Sequence, residues 1–148
     1  TDETLNELLG RLLKDIMESE GKCLVTEEFK DLSYNDFHVI EAIGVNEPKT
    51  MTTVAKLMNV TTGTLTKAMD GLTRKGYVIR ERSTQDKRVV WVYLTESGKA
   101  AYKHHEEFHH EMIAQIKSQL TEQETPILLY ALAKLADYFH LVYNGEKE

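Results

Sequence analysis

The spacing of apolar residues changes near Tyr77 from a helical period of about 3.6 to an alternating period of 2. Before this point, two short helical patterns flank the tight turn "NVT". The first can be capped by Thr52 or Thr53 and has apolar residues at Val54, Ala55, Leu57 and Met58. The second can be capped by Thr61 and has apolar residues at Leu65, Met69 and Leu72. After it, "YVIRERSTQDKRVVWVYLT" holds two alternating runs joined by the polar tip "STQDKR". The order predicts a helix-turn-helix followed by a β-hairpin, which is a winged helix.

Charge is concentrated in the same segment. The whole chain has a formal net charge of −6, but residues 49–91 carry 9 basic and 3 acidic side chains. Residues 1–48 carry 4 basic and 12 acidic side chains, and residues 92–148 carry 5 and 9. A basic segment within an acidic chain supplies local positive potential, so we expect residues 49–91 to bind a phosphate backbone.

Long helices are predicted on both sides of the basic segment. Six apolar residues between positions 5 and 16 indicate a helix over residues 3–20, ended by Gly21 and followed by an irregular stretch to residue 32. Ser33, three residues before Asp36, begins a shorter helix that ends at Gly44. Thr95 begins a long helix to about Gln119, and Thr121, three residues before Glu124, begins a last apolar helix. The predicted fold class is therefore mainly α with a small β-wing.

The groove dimensions of B-DNA assign a role to each part of the winged helix. A helix fits the major groove, whereas an arginine-bearing tip suits the narrow minor groove. We expect Asp86 to hold Arg88 outward by a charge-assisted hydrogen bond. The alternative is that these basic residues only form a solvated face. The predicted DNA-binding residues are Thr61, Thr62, Gly63, Thr66, Lys67, Arg74, Arg82, Lys87 and Arg88.

The segment "LTRKGYVIRERSTQDKRVVWVYLTESGK" resembles the signature of the multiple-antibiotic-resistance-regulator (MarR) family. Asp86 and Arg88 match its D-x-R at the wing tip, and Leu94, Thr95 and Gly98 match the L-T-x-x-G that opens the next helix. The resemblance implies a homodimer on palindromic double-stranded DNA, with dimerisation helices at 1–32 and 96–148 around a winged-helix lobe at 33–95, all in one unit of 148 residues. It also implies that the wide leucine face at 5–16 is covered by a partner subunit, and the alternative is core packing within one chain.

A narrower similarity points to the branch of that family that represses fatty-acid synthesis. It rests on "FKDLSYNDFHVIEAIG", on "VTTGTLTKAMDGLTRKGYVIRERSTQDKRVVWVYLT" and on "KHHEEFHHEMI". It implies a long-chain acyl group on acyl carrier protein as corepressor, held in an apolar tunnel, although an acidic carrier fits poorly with the acidic residues 1–48. Core packing is the alternative for each predicted lining residue: Leu12, Ile16, Phe37, His38, Ile40, His105, Phe108, His109 and Met112.

The run "HHEEFHH" contains His105, Glu106 and His109 in the H-E-x-x-H spacing of zinc peptidases. A peptidase needs both imidazoles to face an open cleft with a third ligand and a water. Here the helical pattern places His105 on the apolar face, and no part of the chain remains for a catalytic domain. We therefore expect no enzyme and no cofactor, with a zinc hydrolase as the remote alternative.

A zinc-responsive repressor is the stronger alternative. Cys23, His105 and His109 could supply sulfur and nitrogen ligands, with further donors at Glu20, His38 and Glu41. Cys23 is the single cysteine, which excludes an intrachain disulfide. The sequence also lacks a run of eighteen apolar residues, the length that would indicate a membrane span. We expect a cytoplasmic protein.

Overall fold

The structure, a computed structural model, describes the backbone of residues 1–144 and the side chains of residues 1–142. Within these residues it has six helices and three short strands, which confirms the predicted fold class. In chain order the elements are α1 (Asp2–Leu24), α2 (Tyr34–Ile43), β1 (Lys49–Thr50), α3 (Met51–Met58), α4 (Thr62–Lys75), β2 (Val78–Arg82), β3 (Val90–Leu94), α5 (Glu96–Ser118) and α6 (Glu124–Asn144).

The chain divides into two compact units, Thr1–Phe108 and His109–Glu148, with the boundary inside α5. The first unit contains α1 to α4, the sheet and the first half of α5. The predicted division at residues 32 and 95 stays a prediction, and residues 145–148 of the predicted dimerisation segment lie outside the described residues.

The sheet of the first unit is antiparallel in the order β1-β3-β2. Val78 is paired with Leu94 and Arg82 with Val90, so β2 and β3 form the predicted hairpin. The core lies between this sheet, α2 and the helix pair α3 and α4. Its completely buried residues include Phe37, Val39, Ile40, Ile43, Val54, Met69, Leu72 and Val92.

Local capping chemistry sets most helix ends. The hydroxyl of Ser33 accepts from the backbone N–H of Asp36, and the Asp36 carboxylate accepts from that of Ser33, so α2 begins with a capping box. Thr61 caps α4 in the same way through the N–H of Thr64. Asn59 ends α3 in the left-handed conformation, at φ 56°, which closes the predicted turn between the two helices.

Two helix boundaries differ from those expected from the sequence. α1 continues past Gly21 to Leu24, because Leu24 is completely buried and its packing favours one more helical turn. α3 begins earlier than expected, since Thr50 rather than Thr52 or Thr53 is its N-cap and accepts from the N–H of Thr53 at 3.1 Å.

The sequence L-T-x-x-G has a steric explanation at the start of α5. The Thr95 hydroxyl donates to the carbonyl of Gly76 at 2.7 Å and accepts from the N–H of Gly98 at 3.1 Å. A Cβ atom on Gly98 would overlap the carbonyl oxygen of Tyr77 and press on Leu94. Only glycine allows α5 to start this close to the end of α4.

Each unit leaves an apolar helix face exposed. In the first unit, Leu5, Leu12 and Leu13 on α1 are 57–60% exposed, so the alternative that these leucines form a core within one chain does not hold. In the second unit, large apolar side chains of α6 are exposed at Ile127, Leu129, Leu132, Leu135, Phe139 and Leu141. None of the described helices combines the length and the apolar character needed to cross a bilayer.

Candidate functional site

One face of α4 presents small polar and basic side chains to solvent. Its opposite face buries Leu65, Met69 and Leu72 in the core, as predicted. Because the buried stripe fixes the rotation of the helix, the other side of its first two turns is available to a ligand. The predicted contacts Thr61, Thr62, Gly63, Thr66 and Lys67 are all exposed there, and Arg74 is exposed near the end of the helix.

The wing tip holds one arginine in a fixed orientation. Asp86 accepts from Nε of Arg88 at 3.1 Å and from Nη2 at 3.2 Å, and also from the Arg88 backbone N–H at 3.0 Å. The side chain of Arg88 is 91% exposed, so the guanidinium is braced yet fully presented to solvent. The predicted brace is therefore present, and it has the bidentate geometry of strong arginine–carboxylate pairs.

The Arg88 hydrogen bonds hold the pKa of Asp86 below its ordinary value. A lowered pKa means that the brace is present at neutral pH and is lost only when pH falls through that lowered value. The other two predicted wing residues, Arg82 and Lys87, are also exposed beside the tip.

A cleft between α4 and the wing contains an arginine that the sequence analysis missed. It has a volume of about 490 Å³ and is lined by Thr50, Met51, Thr52, Thr62, Thr66, Arg80, Arg88, Val89 and Val90. Arg80 Nη1 lies 2.6 Å from Oδ1 of Asp70, which links β2 to α4. The alternation of β2 places Arg80 and Arg82 on the same face, and this signal could have identified Arg80.

The family model described as "Transcriptional regulator SarA/Rot" matches residues 24–105, which include α2 to α4 and the whole wing. Among solved structures, the chain is similar to Streptococcus pneumoniae FabT in complex with DNA, with 33% identity, a TM-score of 0.89, and coverage of 95% of this chain and 98% of FabT. The chain belongs to the MarR/SarA-type family of winged-helix transcriptional regulators.

Two further similarities agree with this family. Apo MarR from Escherichia coli is 30% identical, with a TM-score of 0.61 and coverage of 86% of this chain and 96% of MarR. An uncharacterized HTH-type transcriptional regulator of Bacillus subtilis (strain 168), YpoP, is 27% identical over 88% of this chain and 90% of its own length. MarR/SarA-type regulators are not enzymes, which confirms the prediction that the chain has no catalytic activity.

A second candidate site in this MarR-type chain is a polar network buried in the first unit. His105, at the first-unit end of α5, is 2% exposed, and its Nε2 lies 2.9 Å from Oε1 of Glu20. Tyr34 donates to the other oxygen of Glu20 at 2.9 Å. Burial raises the pKa of Tyr34 above its ordinary value, and the hydrogen bond to Glu20 raises it further.

Glu41 connects the two imidazoles of this network. Its Oε2 lies 3.6 Å from Nδ1 of His105 and 3.8 Å from Nδ1 of His38, and the two rings pack edge to face at 5.7 Å between centroids. Nε2 of His38 is buried and has no hydrogen-bond partner among the described residues. Buried polar atoms without a partner are rare.

The glutamate of the H-E-x-x-H motif does not share the environment of the first histidine. His105 is buried against Glu20, whereas Glu106 is exposed. The zinc-peptidase arrangement, with a glutamate beside an open metal ligand, is therefore not formed. Cys23, one of the alternative zinc ligands, is exposed on α1, and His109 lies one turn after His105 on α5, in the second unit.

The predicted acyl-tunnel residues lie in different environments. Phe37 and Ile40 are completely buried in the core, and Phe108 packs partly against it. Leu12 is 57% exposed on α1, with Ile16 half-buried one turn later. Met112 is half-buried in the second unit. Phe37 contacts the network directly, since its ring is 5.9 Å from that of His105.

Proposed function

We propose that this regulator is a dimeric, sequence-specific DNA-binding protein that acts as a repressor. The proposal rests on one observation: the exposed face of α4 and the braced Arg88 lie in the same lobe. Thr62, Thr66 and Lys67 would contact base edges and phosphates in the major groove, while Arg88 would enter the adjacent minor groove. The similarity to FabT, whose structure was solved in complex with DNA, supports this placement.

Dimerisation would cover the exposed apolar faces of α1 and α6. Exposed contiguous apolar surface of this kind is typical of subunit interfaces. A two-fold pair would present two copies of α4 to a palindromic site, with half-sites about one helical turn of DNA apart. The named relatives come from bacteria, in which chromosomal DNA lies in the cytoplasm, so we place this protein there too.

DNA binding can be tested by selecting bound fragments from the source genome and measuring affinity by fluorescence anisotropy. We expect a palindromic consensus bound by two subunits, with affinity that falls steeply with salt. Lys103→Ala is a matched control, because it removes one exposed positive charge from α5, outside the winged helix. A stable single subunit, or no duplex bound at low salt, would contradict the proposal.

The regulated genes would be those of fatty-acid synthesis, and the effector a long-chain acyl group carried on acyl carrier protein. The similarity to FabT and the partly buried apolar positions Ile16 and Phe108 of the first unit support this. Operator affinity should rise with the long-chain acyl carrier and stay constant with the free carrier. Equal affinity with both forms of the carrier would contradict it.

A second candidate effector is zinc, favoured by the arrangement of the buried network. Nε2 of His105 lies 2.9 Å from Oε1 of Glu20, and Nδ1 of the same ring lies 3.6 Å from Oε2 of Glu41. Imidazole nitrogens with a carboxylate oxygen are a suitable donor set for Zn²⁺, and an outer carboxylate commonly orients such histidines.

Metal analysis of protein purified without chelator separates the two effectors. If zinc is the effector, we expect one equivalent per subunit, lost in His105→Ala and retained in His110→Ala, an exposed histidine of α5. A chelator should then change operator affinity in the wild type only. The absence of metal, or its retention in His105→Ala, would exclude zinc and leave the histidines as parts of a polar network.

A further inference from the structure

We propose that the outer face of the wing sheet binds a small organic ammonium compound, at a groove separate from the DNA-facing cleft and the buried network. The groove has a volume of about 620 Å³ and is lined by Glu47, Pro48, Glu81, Trp91 and Tyr93. This volume lies within the range of ordinary small-molecule sites. The proposal goes beyond DNA binding and the effectors considered above.

Strand alternation separates this groove from the DNA-facing cleft. Trp91 and Tyr93 point to one face of β3, and their partners in the register, Glu81 and Ile79, point to the same face of β2. Arg80 and Val90 line the cleft beside α4 and belong to the opposite face. A ligand in the groove therefore does not compete directly for the DNA-facing surface.

Two aromatic rings form the apolar part of the groove. Trp91 is 40% exposed, which is high for a tryptophan in the middle of a strand, and Tyr93 is half-buried beside it. The faces of such rings attract cations, tryptophan most strongly, and aromatic walls are the usual way to hold a quaternary ammonium group. Pro48, just before β1, adds an apolar edge.

Two carboxylates give the groove its charge. Glu81 accepts from the hydroxyl of Tyr93 at 2.6 Å, which fixes its carboxylate against the aromatic wall and raises the pKa of Tyr93. Glu47 lies at the other side, and none of the five lining residues is basic. In the described part of the chain, no ion pair joins a basic side chain to Glu47 or Glu81, so both negative charges remain available to a cation.

Nearby basic residues are engaged elsewhere. Lys99 lines an adjoining groove that shares Glu47, Pro48, Glu81 and Tyr93 with this one, and its Nζ is 3.4 Å from a carboxylate oxygen of Glu96. Lys49 donates to the backbone carbonyl of Ile43 at 2.6 Å. The Trp91 end of the groove thus combines negative charge with aromatic surface, and this combination selects an organic cation over a neutral compound or an anion.

Trp91 is the only tryptophan of the chain, so its fluorescence reports on the groove directly. Choline chloride added to the full-length protein should quench it with saturation, at a dissociation constant of about 1–10 mM, as expected for one exposed aromatic and two carboxylate contacts. The neutral isostere 3,3-dimethyl-1-butanol should produce no saturable change. Sodium chloride at equal ionic strength controls for charge screening.

Variants test the carboxylates. Glu81→Gln should raise the dissociation constant for choline about fivefold, the effect of one exposed charge at contact distance. Glu47→Gln changes a loop residue outside the hydrogen-bonded strand pair and should also weaken choline binding. This second variant tests the proposal even if Glu81→Gln fails to fold. Glu122→Gln, an exposed glutamate of the second unit, should leave the constant unchanged.

Three results would overturn the proposal. The first is unsaturated or absent quenching by choline up to about 100 mM, a concentration well above the expected constant. The second is an equal response to 3,3-dimethyl-1-butanol. The third is quenching by a lysine-rich peptide but not by choline, which would make the groove a protein-docking surface instead.

Discussion

Asp70 and Arg80 join α4 to strand β2 of the wing, with 2.6 Å between Oδ1 of Asp70 and Nη1 of Arg80. Arg80 lines the cleft that also contains Thr62, Thr66 and Arg88. Arg80 is 29% exposed, so its guanidinium can meet a phosphate while Asp70 holds its position. This ion pair is a direct side-chain link between α4 and β2.

Arg80→Ala should therefore weaken operator binding by about 1.5–3 kcal/mol, the range for losing a hydrogen bond to a charged group. Asp70→Asn should weaken it less, because the arginine remains. Fluorescence anisotropy against one operator fragment measures both, with Lys103→Ala as the charge-matched control. Wild-type affinity of Arg80→Ala would show that the pair only stabilises the lobe.

Arg88→Ala should reduce operator affinity by about 1–3 kcal/mol if the side chain enters the minor groove. Asp86→Ala should cause a smaller loss, because the guanidinium is kept but its orientation is not. Operators with altered bases at the wing position provide the measurement. If Arg88→Ala weakens binding equally to every operator sequence, Arg88 contacts a phosphate rather than the minor groove.

Lys67→Ala should make the salt dependence of binding shallower by about one unit of slope if Lys67 contacts a phosphate. Lys67 is exposed in the second turn of α4, on the face opposite Met69. Titrations at several salt concentrations give the slope, and Lys56→Ala on α3 is a nearby control. An unchanged slope would show that Lys67 does not contact the phosphate backbone of DNA.

Tyr77→Phe should lower the free energy of unfolding by about 1 kcal/mol at neutral pH, since it removes the 2.7 Å hydrogen bond to Asp31. Burial and then this bond raise the pKa of Tyr77 from 10.0 to about 12. Because the pKa is raised, the hydrogen bond of Tyr77 contributes fully to the free energy of unfolding below pH 10, and this contribution is lost as pH rises towards 12.

Urea unfolding of both proteins between pH 8 and pH 12 tests this prediction. The difference in stability between wild type and Tyr77→Phe should be constant up to about pH 10, the ordinary value for a tyrosine. It should then shrink as the wild-type hydroxyl ionises. A difference that grows with pH would contradict the assignment.

Gly98→Ala should destabilise the protein by about 1–3 kcal/mol, as overpacking does, because the new Cβ would overlap the carbonyl oxygen of Tyr77. Thermal unfolding measures the loss. Gly10→Ala on α1 is a suitable control, since its added Cβ meets no atom within 4 Å and alanine favours the helix. Equal stability of the two variants would contradict the steric explanation.

The sequence predicts those features that depend on neighbours along the chain. The capping pairs Ser33 with Asp36 and Thr121 with Glu124 lie three residues apart, and both form as expected. The Asp86 brace spans two residues and is also local. The predicted buried stripe of α4 depends only on helical period.

Features that depend on distant contacts were missed. The extension of α1 past Gly21 follows from the burial of Leu24, and the network joins Glu20 to His105 across 85 positions. Arg80 meets Asp70 only because the hairpin has its observed register. The local sequence pattern assigns these residues to helices or strands, but it does not predict which of them contact each other.

The uncovered leucines of α1 have a consequence for how the protein behaves when it is scarce. If a second copy covers Leu5, Leu12 and Leu13, assembly and folding are coupled by mass action, so the melting temperature should rise with protein concentration. At a low copy number per cell, part of the population would dissociate before it reached its target. Occupancy of the target would then rise more steeply than in proportion to the amount of protein made.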